Sequence, residues 1–219
     1  MNNYFDNFYD WRKNIDKYIL VLILGLFLLG LFFSLVSTSL IASDKLNTNS
    51  YYFFIKHLIF IFLGVAILLF FSFLNQKILM KISIILFFIS FISLVFVPFF
   101  GADVKGSKRW LDIAFLPRFQ PIEILKPFFI IIVSTILSYS SRKLYLKYFF
   151  SALVLIPILL LLISQPDLGQ TFLITMAWLA IVFVSGINIF LFFSFFITAG
   201  LIVSYLIIFV AKFEYIKLR

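Results

Sequence analysis

The chain reads as long apolar runs broken by short polar punctuation. Predominantly apolar stretches occupy about 18 to 40, 52 to 74, 78 to 100, 121 to 140, 148 to 164, 168 to 186 and 188 to 210. A helix needs about 20 such residues to cross the hydrocarbon core of a bilayer, so the pattern predicts about seven transmembrane helices. Membrane-spanning strands are excluded: barrel strands alternate apolar and polar positions over about ten residues, whereas "ILLLLISQ" and "IFLFFSFFITAG" are apolar on every face. The first stretch is too long for a secretory signal and lacks its cleavage context, which makes it a retained span. The expected fold class is therefore all-α, a polytopic membrane helix bundle forming a single membrane domain over residues 1–219. The tail "MNNYFDNFYDWRKNIDK" is polar and aromatic, a mixture suited to the membrane interface.

Composition agrees and narrows the chemistry. Hydrophobic residues make up 64% of the chain and charged ones 12%, about half the charged share of a soluble domain, and the mean hydropathy is +1.17. With no cysteine and one histidine, disulfides, thiolate catalysis, Cys-based metal sites and histidine triads fall away. That histidine, His57, reads as an interfacial residue, and the small hydroxyl residues of "SLVSTSLIAS" read as helix-packing positions.

Net charge is +9, which in a membrane protein points to orienting loops rather than to nucleic acid. With the N-terminus inside, the cytoplasmic segments hold Arg12, Lys13, Lys17, Lys77, Lys81, Arg142, Lys143 and Lys147, eight of the 18 cations, and the opposite side holds ten. A plain positive-inside count does not settle topology. Five of those ten, Lys105, Lys108, Arg109, Arg118 and Lys126, sit in or beside the 101–120 loop, so that loop is basic for a reason other than orientation.

Candidate chemistry gathers there. In "FQPIEILKP", Pro121 suits the first turn of a helix, Glu123 complements the helix dipole, and Glu123 and Lys126 share a face at i,i+3. Pro127 is expected to kink the helix. A capped helix with one interfacial ion pair and a functional pair facing a wet cavity both fit. In "GADVKGSKRW", Lys105, Lys108 and Arg109 could hold a phosphate or diphosphate, or simply meet anionic headgroups. In "SQPDLGQ", Pro166 and Asp167 open a helix and Gly169 allows close packing. Asp167 reads equally as an N-cap or as a carboxylate lining the same cavity as Glu123.

Taken together and in order, "GADVKGSKRWLDI", "FQPIEILKP" and "QPDLGQTFLI", preceded by "GLFFSLVSTSLIAS", resemble the shape, elongation, division and sporulation (SEDS) family, the FtsW/RodA/SpoVE glycosyltransferases, and its division-type branch in particular. The resemblance implies ten spans in the bacterial inner membrane with both termini cytoplasmic, of which seven are present here, and an extracytoplasmic 101–120 loop. It implies a peptidoglycan glycosyltransferase that polymerises lipid II into glycan strands during cell division. On that reading Lys105, Lys108, Arg109 and Gln120 contact the undecaprenyl-diphosphate-linked substrate. Arg109, Glu123 and Lys126 line the central cavity, with Glu123 and Lys126 in supporting catalytic roles, while Gln165, Asp167 and Gly169 form the "QPDLG" turn. Ile122 departs from the serine usual in that family. The family's essential carboxylate is an Asp in the outer loop after span seven, and "EYIKLR" ends where that loop would begin; the expectation is an N-terminal fragment, inactive alone. The implied partners are a class B penicillin-binding transpeptidase, divisome proteins and the membrane, with no nucleic acid. No cofactor is specified and a divalent cation is left open. The alternatives carried are a lipid II flippase or transporter and a non-catalytic division scaffold.

Overall fold

The computed structural model describes residues 11–13, 15–38, 51–104, 107–112, 118–139 and 143–209. Among these, every apolar stretch named above is helical: α1 (Lys17–Thr38), α2 (Tyr52–Ser72), α3 (Gln76–Phe100), α4 (Pro121–Ser138), α5 (Leu144–Ser164), α6 (Leu168–Val184) and α7 (Ile189–Phe209). The first five are long and apolar enough to cross a membrane by length and composition. α6, at 17 residues, and the described apolar stretch Phe192–Ile202 of α7 are shorter than that measure. The physical reason for helices is the absence of water in the bilayer core, where each segment must satisfy its own backbone groups.

Chain contacts fall into two compact units, Met1–Leu79 and Met80–Arg219. In the first, α1 and α2 form an antiparallel pair. Trp11 Nε1 donates to Ser72 Oγ at 2.9 Å and its ring stacks on Phe73 with centroids 4.4 Å apart. Near the other end of the pair, the His57 ring lies 3.7 Å from where a side chain on Gly30 would begin.

The second unit holds the core. α4, α5 and α6 pack on one another around Leu125, Phe129, Val133, Ile158, Leu162 and Ile174, all fully buried. Lipid tails are as apolar as these side chains, so packing and interhelical hydrogen bonds hold the helices together. Trp178 Nε1 supplies one such bond, donating to Ser151 Oγ at 3.1 Å. The α6–α7 turn passes through Gly186 at φ +87°, a left-handed conformation that glycine adopts without strain.

The 101–120 segment contains an element that the sequence reading did not identify. β1 (Gly101–Val104) and β2 (Ser107–Leu111) pair antiparallel, Gly101 opposite Leu111 and Asp103 opposite Lys108, and Leu111 bridges back to Phe119. Gly101 follows α3 directly, and a Cβ there would collide with the Val97 carbonyl oxygen. Only glycine lets the chain leave the helix and enter the strand at that point.

Candidate functional site

The C-terminal end of α3, the hairpin, the N-terminus of α4 and the α5–α6 turn converge at one end of the second unit. Asp167 is the centre of this cluster. It is 4% exposed and serves as N-cap of α6, accepting from the Gln170 backbone N–H. Its Oδ2 accepts from Gln120 Nε2 at 2.7 Å, and Arg109 Nη1 lies 3.7 Å from Oδ1. Arg109 Nη2 also donates to the Pro166 carbonyl at 2.6 Å. Thus the N-cap reading of Asp167 holds, and the same carboxylate joins its helix to β2 and α4. Gln120, the N-cap residue of α4, makes no side-chain bond to that helix. Its amide is directed across to Asp167 instead.

A second cluster lies one turn away. Lys126 Nζ is 2.7 Å from Glu123 Oε2 and donates to Gln170 Oε1 at 3.0 Å, while Gln170 Nε2 donates to Glu123 Oε1 at 2.6 Å. The Lys126 side chain is 17% exposed and that of Glu123 51%, so the ammonium is the more enclosed partner. Gln170 connects the two clusters, its backbone bonded to Asp167 and its side chain to Glu123 and Lys126. Two cations and two carboxylates leave the joined network balanced in charge.

Gln165 braces the turn from the other side. Pro98 stands within α3 and has no N–H, so the Leu94 carbonyl four residues earlier loses its helical donor. Gln165 Nε2 donates to that carbonyl at 3.1 Å in a fully buried setting. Gln165→Leu is expected to leave the Leu94 oxygen unsatisfied and to cost about 1–3 kcal/mol, measurable as a lower unfolding midpoint in mixed micelles. A change below a few tenths would mean that the carbonyl has another donor.

Several sequence-predicted residues behave differently from one another here. Lys108 and Arg109 are neighbours in a strand and so point to opposite faces. Lys108 is exposed, whereas Arg109 is half-buried against Pro166 and Asp167. They do not form a single clamp. Lys105 lies outside the described residues, as does the chain end from 210. A Cβ on Gly169 would meet only Asp167 Oδ1, at 3.9 Å, so the close packing expected there is not what the structure shows. Arg118 pairs with Asp112 at 2.7 Å on the exposed surface. Among the described residues no group of three His, Cys, Asp or Glu could hold a metal ion. Gln170 was missed as a site residue. Its only sequence signal is its place three residues after Asp167, and nothing local reveals partners 44 and 47 positions away.

With this geometry in view, comparison with known proteins is decisive on ancestry. The family profile described as cell cycle protein, FtsW/RodA/SpoVE, matches residues 16–219. The chain belongs to this family. A probable peptidoglycan glycosyltransferase FtsW of Coxiella burnetii is 33% identical over 179 residues, covering 80% of this chain and 48% of that protein. The peptidoglycan glycosyltransferase MrdB of Escherichia coli K12 is 40% identical over 104 residues, covering 47% of this chain and 28% of that protein. Among solved structures, the rod shape determining protein RodA of Thermus thermophilus superposes with a TM-score of 0.59 at 24% identity, covering 78% of this chain and 58% of that one. A chain from a peptidoglycan synthase complex gives 0.62 at 21% identity, covering 85% of this chain and 57% of that one. These likenesses establish the fold of a multi-pass helical membrane protein. The chain spans about half the length of the FtsW relatives it matches.

Proposed function

We propose that this SEDS-family chain belongs to a peptidoglycan glycosyltransferase of the FtsW type, which polymerises lipid II into glycan strands at the outer face of the bacterial inner membrane during division. In this reading residues 1–219 form one membrane domain with the N-terminus cytoplasmic and the 101–120 loop outside. A class B penicillin-binding transpeptidase and other divisome proteins assemble with the whole protein. The observation that carries the reading is the charge-balanced network of Arg109, Gln120, Glu123, Lys126, Asp167 and Gln170, centred on the buried Gln120 and Asp167, built on motifs that match the family over almost the whole chain.

The chemistry follows from which charges are committed. A glycosyl transfer that expels a lipid diphosphate needs cations where negative charge develops on the leaving oxygens. Lys108, exposed on the hairpin, and Lys105 beside it serve as the outer contacts. Lys126 is the inner one: its ammonium carries three donors, two of which are directed to Glu123 and Gln170, leaving one for a substrate oxygen. Arg109 has its guanidinium on the Pro166 carbonyl and Asp167, and so holds the floor of the site in place. Gln120 and Gln165 position the same floor, and Gly169 completes the turn. Glu123 has both oxygens engaged, which suits it to orienting Lys126 rather than to taking a proton from the acceptor hydroxyl. The family resemblance assigns that task to an Asp in the outer loop after the seventh span. General-base help of this kind typically contributes about 10²–10⁴-fold.

The test is polymerisation of purified lipid II by the full-length protein in proteoliposomes, with its transpeptidase partner, read as glycan strands on a gel. Strand formation that requires the protein supports the reading. Movement of lipid II between leaflets without strand formation would replace it with a transporter.

A further inference from the structure

The Glu123–Lys126 pair does not by itself fix the direction of the ammonium. Both residues lie on one face of α4 at i,i+3 and the Glu123 side chain is 51% exposed, and an exposed pair of that kind orders its side chains weakly. An ammonium held at one point also turns about that bond, so its other N–H groups have no set direction. The second point of attachment comes from another helix. Gln170 stands in the first turn of α6, where its backbone N–H donates to Asp167 Oδ1 at 3.4 Å and the next residue, Thr171, donates from Oγ1 to the Asp167 carbonyl at 2.7 Å. From that anchored turn the side chain crosses to α4 and meets both members of the pair. Its Oε1 accepts from Lys126 Nζ at 3.0 Å, and its Nε2 donates to Glu123 Oε1 at 2.6 Å.

The chemistry of the three groups leaves one arrangement. An ammonium only donates, a carboxylate only accepts, and the amide offers one accepting and one donating end. A carboxylate at 170 would stand against Glu123, an ammonium there would stand against Lys126, and an apolar side chain would bond to neither. We propose that Gln170 is a positioning residue for glycosyl transfer, an inference that rests on the reading of Lys126 as the inner contact to the lipid diphosphate. Together with Glu123, the amide of Gln170 holds two of the three ammonium N–H groups and so aims the third at the substrate oxygen. The bland alternative is a tie between α4 and α6, which would hold the helices together without directing the ammonium. The two differ in what a carboxyl group at position 170 does as pH changes.

The experiment uses the full-length protein with its transpeptidase partner in proteoliposomes. Rates of lipid II polymerisation are read across about pH 5 to 8 as the ratio of each variant to the unaltered protein, so that any pH dependence common to both cancels. Gln170→Leu removes both bonds and is expected to lower the rate about tenfold at every pH, within the 10²-fold that a misplacement of about 1 Å can cost, and to do so in kcat rather than KM. Gln170→Glu is expected to lose as much at neutral pH, where two carboxylates within hydrogen-bond reach oppose each other. As pH falls one of them binds a proton, and the protonated acid offers Glu123 a donor and Lys126 an acceptor, the same two bonds as the amide. Its ratio is therefore expected to rise toward one near about pH 5 while that of Gln170→Leu stays flat. The other charged groups at this end, Arg109 of β2 and Asp167, are engaged with each other, with the Pro166 carbonyl and with Gln120 and are present in every variant; α5 and the described part of α7 bring no Asp, Glu, His, Lys or Arg to it. The rise is internal to one preparation of Gln170→Glu, so a smaller folded fraction scales the profile without changing its shape. A flat profile for Gln170→Glu would overturn the proposal and leave Gln170 a tie between helices. So would a Gln170→Leu rate within about twofold of the unaltered protein. Absence of strands from the unaltered protein would instead overturn the glycosyltransferase reading, and the positioning role with it.

Discussion

Replacing Asp167 with alanine is expected to destabilise the second unit by about 3–5 kcal/mol, the usual cost of removing one partner from a buried ion pair. Three groups depend on this carboxylate. Gln120 loses the acceptor of its amide, α6 loses its side-chain cap, and the half-buried Arg109 keeps only the Pro166 carbonyl among the two partners described above. Gln120 and Asp167 are both buried, so a Gln120 amide left without its acceptor finds little water to replace it. Asparagine at 167 keeps one oxygen, enough for the helix cap or for Gln120 but not for both, so its expected loss is about half as large. Unfolding in mixed dodecyl sulfate micelles, followed by tryptophan fluorescence, measures both. Glu123→Ala is the control: that side chain is 51% exposed, and a loss under about 1 kcal/mol is expected. If Asp167→Ala cost no more than this control, the cluster would be one that water reaches and solvates.

The helices were legible in the sequence because a bilayer imposes a simple rule on it, and α3, α4 and α5 fall within a few residues of their expected ends. Pro121 and Glu123 opening a helix, and Asp167 capping one, were likewise local signals and were read from local spacing. Two things were hidden. The hairpin pairs Asp103 with Lys108, and strands of four and five residues, "GADV" and "SKRWL", are too short and too irregular in polarity to announce themselves. Once formed, that strand separates Lys108 from Arg109, which in sequence look like one basic patch. The second hidden feature is long-range partnership. Gln165 carries no sign that it will complete a carbonyl released by Pro98, and Gln120 in a capping position gives no hint that its amide will bypass its own helix for Asp167. Polar groups within an apolar bundle have few partners to choose from, so the site was visible as a set of residues before it was visible as a set of bonds.

Replacing Lys126 with methionine in the full-length protein is expected to lower lipid II polymerisation by about 10²–10³-fold, the range found when one donor to developing negative charge is lost. Methionine keeps the length and apolar stem of the side chain, and α4 should keep its packing through the buried Leu125 and Phe129. Protein yield and unfolding midpoint are therefore expected to change little, which separates lost chemistry from lost folding. The decisive companion is the exchange of charges, Glu123→Lys with Lys126→Glu. The two residues sit at i,i+3 with their charged atoms 2.7 Å apart, so the exchanged pair can form again and a purely structural ion pair would tolerate it. A cation that must reach a substrate oxygen from the enclosed position would not, because the exchange moves it to the more exposed site. Activity in the exchanged protein close to that of the original would make the pair a helix staple and remove Lys126 from the reaction. Activity as low as in Lys126→Met would place the ammonium, rather than the pair, in contact with the substrate.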